Sequence, residues 1–252
     1  TVRRDGACVV TETGAHSNLI ELSGLHGADL EAAFARKFET ATETVTVGSA
    51  PHAREFTLFK PANADHLISE ADYVMDERLP YWADLWPSAR VLAGALLEMD
   101  GHGRTLLEMG CGLGLDTVAA MAAGFTVTAT DYYEDAIHIA RLNASRNIGR
   151  EPATRMVNWR AWPDSLGTFD VVMAADVLYE KEYATLVGDC IARALAPHGE
   201  AIVADPGRLA LPAFLEHLDT IGLRVASRVD VPYEAGPIKQ RIQLLRLVRS
   251  AA

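Results

Sequence analysis

Residues 105–116 read TLLEMGCGLGLD, and this stretch decides the fold. A run of strand-forming residues ends on an acid, Glu108, and gives way to glycines at alternate positions, Gly110, Gly112 and Gly114. Because glycine adopts backbone conformations that side chains disfavour, the pattern predicts a buried parallel strand that turns sharply into a helix. In α/β proteins a nucleotide binds at such a turn.

Downstream of this stretch, strand and helix patterns alternate, which is typical of a mostly parallel sheet with helices on both faces. The last two strand patterns, 223–231 and 238–248, have no helix between them, so they must pair antiparallel. The sequence therefore predicts an α/β fold: a Rossmann-like, doubly wound, seven-stranded sheet, mostly parallel, with an antiparallel C-terminal hairpin strand. The other predicted strands are 105–108, 125–130, 154–159, 169–174 and 200–204, and the predicted helices between them are 116–123, 134–146, 183–195 and 212–221.

Upstream of the stretch, the patterns are shorter and more mixed. They predict a helix over 29–39, a hairpin over 43–60, a short helix over 64–76 and a further helix that Ser88 caps. We interpret residues 1–78 as a small α+β N-terminal extension or cap, and residues 79–252 as the main domain.

The charge balance narrows the classes of partner. Lys and Arg number 23 against 34 Asp and Glu, a formal net charge of −11, which disfavours binding to nucleic acid or to anionic lipid. The three cysteines, Cys8, Cys111 and Cys190, are widely spaced and odd in number, so they indicate neither a disulfide framework nor a metal site. This cysteine usage favours a reducing cytoplasm. The sequence contains no apolar run long enough to span a bilayer.

The spacing of the glycines distinguishes between ligands. A dinucleotide fingerprint requires glycine at position 115, where this chain has Leu115, and no phosphate-binding lysine follows as in a P-loop. A smaller nucleoside fits better. Asp131 ends the second strand, where its carboxylate can accept hydrogen bonds from both ribose hydroxyls. The alternative is a turn aspartate that caps the next helix, since Glu134 follows three residues later.

These residues resemble a known family. EMGCGLG at 108–114 with Asp131 beyond it resembles the cofactor motif of class I S-adenosylmethionine-dependent methyltransferases, and the terminal hairpin matches their fold. LWPS at 85–88, Asn158-Trp159 and ADVLY at 175–179 are similar to the protein-lysine methyltransferases marked by an Asp-x-x-Tyr sequence. DPGR at 205–208 is similar to the branch that modifies the β subunit of electron-transfer flavoprotein.

The resemblance implies which residues bind S-adenosylmethionine and its product S-adenosylhomocysteine. Asn158 replaces the aspartate of several members, and its amide oxygen can still accept a hydrogen bond from adenine. Trp86 and Trp159 can instead be core residues, and Cys111 is expected for its small size rather than as a nucleophile. The full predicted cofactor set is Trp86, Glu108, Gly110, Cys111, Gly112, Gly114, Asp131, Tyr132, Asn158, Trp159 and Ala175.

Asp176 and Tyr179 are the predicted catalytic residues. By the resemblance they follow the fourth strand beside the methyl group, where Asp176 orients an incoming ammonium and Tyr179 contacts the nitrogen or walls the pocket. The alternative is that Asp176 caps the turn before Glu180. Tyr81 and Trp82 fit either the acceptor pocket or the packing of the N-terminal cap, and His138 is interpreted as a surface or core residue.

Three hypotheses of function follow. The first is methylation of an amine nitrogen, above all a protein lysine. The second is N- or O-methylation of a small molecule, and the third is a module that binds the nucleoside without turnover. A nicotinamide-dependent oxidoreductase ranks last because of Leu115. No metal is expected, and the sequence leaves the oligomeric state open.

Overall fold

The computed structural model describes residues 22–67 and 80–250. The N-terminal part contains helix α1 (Gly27–Lys37) and an antiparallel hairpin of β1 (Thr40–Val47) and β2 (Arg54–Pro61). The following helices are α2 (Pro87–Leu97), α3 (Leu115–Ala122), α4 (Glu134–Ile148), α5 (Tyr183–Ala194) and α6 (Leu211–Thr220). The following strands are β3 (Thr105–Met109), β4 (Thr126–Asp131), β5 (Ala153–Met156), β6 (Phe169–Ala175), β7 (Leu195–Asp205), β8 (Leu223–Ala235) and β9 (Ile238–Arg249).

Seven strands form one sheet in the order β5-β4-β3-β6-β7-β9-β8. Strands β3 to β7 pair in parallel, whereas β9 is antiparallel to both β7 and β8. The predicted fold class is confirmed. The chain leaves β3 towards β4 and β5 on one side and returns to β6 and β7 on the other. The gap between β3 and β6 at their carboxyl ends is therefore the point where such a sheet holds a ligand.

Helices cover both faces of the sheet because successive strand residues point to opposite sides. In β3, Leu106 packs with α2, α3 and the β1–β2 hairpin, while Leu107 and Met109 pack with α5 and α6. The buried positions of α5 recur every three or four residues, which gives the helix one apolar side against the sheet. The central strands are thus fixed from both sides, and so is the ligand edge.

The N-terminal helix and hairpin pack onto the main fold. Phe34 of α1 belongs to a cluster with Trp82, Leu113 and residues of α4. The apolar side of the hairpin shares a core with α2 and α3. The proposed boundary at 78/79 lies outside the described residues, so the division into a cap and a main domain stays a prediction.

Several local predictions need correction. Ser88 does not cap α2, because the helix begins at Pro87 with Trp86 as the capping residue and no side-chain cap. Proline suits a first helical turn since its missing N–H would have no partner there. The strand predicted over 154–159 ends at Met156, and Trp159 begins a short 3-10 turn. Of the helix predicted over 64–76, the described part is a 3-10 turn at Ala64–Leu67, and the rest lies outside the described residues.

Candidate active site

A cavity of about 560 Å³ lies at the carboxyl ends of β3, β4 and β6. Its volume suits a ligand of nucleoside size. None of residues 22–67 lines it, so the described part of the N-terminal extension does not cover the cavity. Asp176 and Tyr179 line the cavity together with all predicted cofactor residues except Glu108, namely Trp86, Gly110, Cys111, Gly112, Gly114, Asp131, Tyr132, Asn158, Trp159 and Ala175.

The glycine turn follows β3 with three left-handed residues. Gly110, Gly112 and Gly114 have φ of 76°, 47° and 78°. A Cβ on Gly114 would lie 2.7 Å from the Cα of Ala140 in α4, so glycine is needed there for the close approach of the turn to that helix. Gly110 and Gly112 line the cavity, and a Cβ on Gly112 would lie 3.2 Å from the Trp82 carbonyl oxygen. The turn leads directly into the N-terminus of α3.

Asp131 ends β4 and is buried at the cavity wall. Its Oδ2 accepts a hydrogen bond from the Gly112 N–H at 3.0 Å and its Oδ1 accepts one from the Tyr133 N–H at 3.0 Å. A carboxylate oxygen accepts more than one hydrogen bond, so both oxygens retain capacity for a ligand. Burial raises the pKa of Asp131, while these backbone donors oppose the rise. The carboxylate is thus held in one orientation by the glycine turn.

Glu108 lies away from the cavity lining, buried in β3, where it accepts a hydrogen bond from the Thr117 hydroxyl. Burial raises the pKa of Glu108 to about 8. Asp116, in the first turn of α3, is buried beside it, and burial together with the Glu108 charge raises the pKa of Asp116. Asp116 also lines the cavity, whereas Glu108 does not, so we assign Glu108 to the interior support of the glycine turn through Thr117 of α3.

We expect the protein to become less stable as the pH rises from about 5 to about 8. Glu108 holds its proton up to a pH of about 8 in the folded chain but loses it near its ordinary pKa of 4.5 when unfolded. Its stabilisation is therefore complete below 4.5 and is lost as the pH rises to about 8. The loss is about 1 kcal/mol per pH unit across that window.

Urea unfolding at pH 5.5 and 7.5 measures this effect in wild type and in Glu108→Gln, whose amide oxygen can still accept from Thr117. The difference between the two pH values should shrink in Glu108→Gln and stay unchanged in the exposed control Glu216→Gln. An equal pH dependence in wild type and Glu108→Gln would contradict the assignment.

Asn158 and Trp159 border the cavity beyond β5. The Asn158 side chain accepts a hydrogen bond from the Arg160 N–H at 3.0 Å and so caps the 3-10 turn that carries Trp159. The Trp159 ring contacts Tyr183 of α5 at 5.6 Å between centroids. Its indole also lies near Gly110, where a Cβ would meet the ring at 3.6 Å. Trp159 is therefore a half-buried wall residue rather than a core residue alone.

Five aromatic rings form a continuous wall of the cavity. Tyr81 contacts Trp86 at 5.9 Å and Tyr179 at 5.2 Å, and Tyr179 contacts Tyr183 at 5.0 Å, which in turn contacts Trp159. Burial raises the pKa of Tyr179, and Tyr183 adds to the rise. The Tyr179 hydroxyl therefore stays protonated at physiological pH and offers a hydrogen bond and a wall rather than a base.

Asp176 follows β6 with a left-handed backbone, φ 58°, which is unusual for a residue other than glycine and costs strain. Its Oδ1 accepts from the Arg208 Nε at 2.6 Å, and its Oδ2 accepts from the Ser88 hydroxyl at 3.3 Å. Helix α5 begins at Tyr183, with Glu182 as its capping residue, so the alternative of Asp176 as a helix cap does not hold. Its carboxylate is directed by α2 and by the loop after β7.

The surroundings of the other candidate residues indicate packing roles or positions in the cavity lining. Cys111 is buried, which raises the pKa of its thiol and makes a nucleophilic role unsuitable. His138 is buried within α4 beside Arg141, as a core residue. Trp82 and Tyr81 both line the cavity; Trp82 is buried, with its ring centre 6.2 Å from that of Phe38, and Tyr81 is more exposed. Among the described residues, no cluster of His, Cys, Asp and Glu is arranged to hold a metal ion.

The sequence reasoning missed several residues in and around the cavity. Ser88, predicted as a helix cap, and Arg208, quoted without a role, lie outside the lining and together fix Asp176. No sequence signal links Ser88 to Asp176, since they are 88 positions apart. Further lining residues without a prediction are Asp84, Asp116, Arg160, Glu180, Glu182 and Tyr183.

A family model described as methyltransferase domain matches residues 81–228. The chain belongs to this methyltransferase family. The matched residues begin at the aromatic wall and include the glycine turn, Asp131, Asp176 and Arg208. The predicted membership of the methyltransferases is confirmed. The predicted cofactor of the family, S-adenosylmethionine, is confirmed as well.

Comparison with curated proteins adds relatives of the methyltransferase. The electron transfer flavoprotein β subunit lysine methyltransferase of Xenopus laevis is 31% identical over 56% of this chain and 59% of that protein. The ubiquinone biosynthesis O-methyltransferase of a Caulobacter species, strain K31, is 37% identical over 47% of this chain and 50% of that protein. Other matches named protein-lysine methyltransferases are 31% to 34% identical. The chain spans about half the length of the curated relatives it matches.

Among solved structures, the magnesium protoporphyrin IX methyltransferase of Synechocystis PCC 6803 with bound S-adenosylmethionine superposes with a TM-score of 0.56. It is 18% identical, and the match covers 74% of this chain and 95% of that chain. At this identity the likeness supports the fold alone. In the described part of the methyltransferase, no helix is long and apolar enough to cross a membrane.

Proposed function

We propose that this methyltransferase transfers a methyl group from S-adenosylmethionine to an amine nitrogen, the side chain of a protein lysine. The observation that carries the proposal is the composition of the cavity wall, where a continuous aromatic surface meets a surplus of acids. Its acidic side chains are Asp84, Asp131, Asp176, Glu180 and Glu182, besides the buried Asp116, whose raised pKa favours its neutral form. The lining has one basic side chain, Arg160, which pairs with Glu182. Acidic and aromatic groups favour a cationic acceptor.

The residues around the glycine turn fit the cofactor. The bare backbone at Gly110 and Gly112 permits close approach, and the fixed carboxylate of Asp131 has the two acceptor oxygens that a ribose diol needs. Trp86, Asn158 and Trp159 supply flat and polar walls on the two sides. When bound, S-adenosylmethionine supplies a methyl group on a sulfonium and remains as S-adenosylhomocysteine after transfer.

Asp176 and Tyr179 are proposed to act on the acceptor. Both line the cavity and lie beyond β6, the strand that pairs directly with β3 and its glycine turn. Asp176 binds and orients the incoming amine, and Tyr179 walls its path and offers a hydrogen bond. A lysine has an ordinary pKa of about 10.4, so it must lose its proton to solvent before its lone pair can react. Asp176 cannot promote that loss, because a carboxylate stabilises the ammonium form.

An O-methylated small molecule is a less suitable acceptor. A phenol or carboxylic acid reacts best as its anion, and the acidic wall would repel that anion. The Caulobacter relative is named for O-methylation, so the experiment has to distinguish both acceptor classes.

Purified protein, methyl-labelled S-adenosylmethionine and a host-cell lysate test the proposal. We expect label in a protein band, and in methyl-lysine after acid hydrolysis of that band. Label confined to the low-mass fraction would overturn the lysine acceptor in favour of a small molecule. Cofactor binding by calorimetry without any labelled product would indicate a module that binds without turnover.

Replacing Asp131 with asparagine should weaken cofactor binding by about 10- to 100-fold, since each charge-assisted hydrogen bond lost costs about 1.5–3 kcal/mol. The asparagine NH2 would also face one of the N–H donors of Gly112 and Tyr133. Calorimetry with S-adenosylhomocysteine measures the change. The matched control is Asp135→Asn, in the pair of Asp135 with Lys37, which does not line the cavity. Equal affinities of the two variants would contradict the role of Asp131.

A further inference from the structure

Arg208, from the loop after β7, contacts Asp176 of the proposed acceptor site. Its Nε donates to the Asp176 Oδ1 at 2.6 Å, and its guanidinium lies 5.3 Å from the centre of the Trp86 ring. The Asp176 side chain is 3% exposed and that of Arg208 is 34% exposed. The Asp176 carboxylate therefore lies in the cavity lining, while Arg208 approaches it from a neighbouring groove that Trp86 also lines.

The loop after β7 is built to present Arg208. The Asp205 Oδ1 accepts hydrogen bonds from the Gly207 and Arg208 N–H groups, both at 2.7 Å. Gly207 has a φ of 92°, a conformation that favours glycine at the position directly before Arg208. The backbone of Arg208 is thus fixed before its side chain reaches Asp176.

The same carboxylate is fixed from two other directions. The Asp176 N–H donates to the Ala204 carbonyl at 2.9 Å, and the buried Ser88 hydroxyl donates to Oδ2. The left-handed backbone of Asp176 costs free energy that these contacts must offset. These contacts direct the Oδ1 of Asp176 to Arg208, so the two carboxylate oxygens are not both available to an acceptor.

We propose that Arg208 is a positioning residue, which fixes the Asp176 carboxylate at the cavity and cancels its charge, so that an acceptor amine is oriented there without being held as its ammonium. This proposal rests on the proposed amine methylation. An uncancelled carboxylate would stabilise the unreactive ammonium. Other titratable or polar groups around the pair are Asp205 from the same loop, Ser88 of α2, Tyr81 before α2, Tyr179 and Glu180 after β6, and Gln240 of β9.

The charge of the cofactor provides a test that needs no acceptor. S-adenosylmethionine carries a positive sulfonium and S-adenosylhomocysteine is neutral there, so the ratio of their dissociation constants reports the charge of the cavity. In Arg208→Gln the carboxylate loses its counter-charge. We expect S-adenosylmethionine to gain affinity relative to S-adenosylhomocysteine by about threefold or more, as measured by calorimetry at low salt.

A charge-compensation cycle separates this effect from a structural one. Asp176→Asn should change the ratio by a similar factor in the opposite direction, and the double variant Arg208→Gln with Asp176→Asn should return it near the wild-type value. Arg208→Lys keeps the charge and should keep the wild-type ratio. Arg246→Gln, in an arginine–glutamate pair away from the cavity, is the matched control and should leave the ratio unchanged.

The proposal is overturned if Arg208→Gln weakens both cofactors in parallel or leaves their ratio unchanged. If Arg208→Gln does not fold, the other two variants provide the test. The proposal is then overturned if the ratio of the two dissociation constants is unchanged in Asp176→Asn or changed in Arg208→Lys. If the variants show the expected ratios but no lysine is labelled, the proposed function is contradicted and the role of Arg208 is not. Labelled lysine with unchanged ratios would contradict the role of Arg208 alone.

Discussion

Replacing Gly114 with alanine is expected to destabilise the methyltransferase by about 3 kcal/mol or more and to lower its Tm by about 10 °C. The added Cβ would lie 2.7 Å from the Ala140 Cα and 2.8 Å from its Cβ, so the glycine turn or α4 must shift. The left-handed backbone, φ 78°, adds a cost of about 1–2 kcal/mol for a residue with a side chain. Because Gly114 lies in the turn that lines the cavity, S-adenosylhomocysteine binding should weaken as well.

Gly103→Ala is the matched control for this prediction. Gly103 has a nearly identical φ of 75°, but a Cβ there would meet no atom within 4 Å. The control should therefore show only the backbone cost, about 1–2 kcal/mol. Urea unfolding measures both variants, and calorimetry measures cofactor binding. Equal destabilisation of the two variants would show that the close approach to α4 is unimportant.

Replacing Asp176 with asparagine is expected to lower kcat for the labelled acceptor protein by about 100-fold, the effect typical of a misplaced reactant. Asparagine is suitable because it tolerates the left-handed conformation of this position, φ 58°, better than alanine does. The amide cannot reproduce the ion pair with Arg208, so the acceptor loses its orienting group. Affinity for the neutral S-adenosylhomocysteine should stay within about threefold, since that ligand lacks the charge to which the carboxylate responds.

Single-turnover assays with the labelled protein from the lysate measure the loss of transfer, and calorimetry measures cofactor binding. Asp164→Asn is a matched control, because Asp164 pairs with Arg193 at 2.8 Å on the surface and does not line the cavity. It should retain wild-type kcat. A kcat within about threefold of wild type in Asp176→Asn would contradict the assignment of this residue to the acceptor.

Strand pairing and helix placement were largely predictable from local pattern. The continuous apolar run of β6 reflects its burial on both faces of the sheet, and the periodic stripe of α5 reflects its one buried side, so each can be read from one segment. Helix starts were less predictable. Ser88 has the right residue type for a cap, yet its hydroxyl is buried against Asp176, because a tertiary partner competed with the local one.

The orientation of the aromatic residues also depended on packing. Tyr81 and Trp82 are adjacent in sequence and both line the cavity, but Trp82 is buried beside Phe38, whereas Tyr81 is more exposed and contacts Tyr179. Glu108 belongs to the predicted cofactor motif, yet its carboxyl lies in the interior against Thr117. Neither distinction has a sequence signature, since each depends on which neighbouring element covers the side chain.

The sequence by itself determined the turn at 105–116, the sheet that surrounds it and the placement of Asp131 and Asp176 at one edge, because parallel strands end at a common edge. Only the tertiary structure decided that Asp176 is held by Arg208 and Ser88. Those three residues come from separate loops and helices, and their contact results from the packing of α2 and the loop after β7 around the end of β6. Local patterns specify which elements form, whereas the electrostatic partners of a buried carboxylate are specified by the way the elements pack.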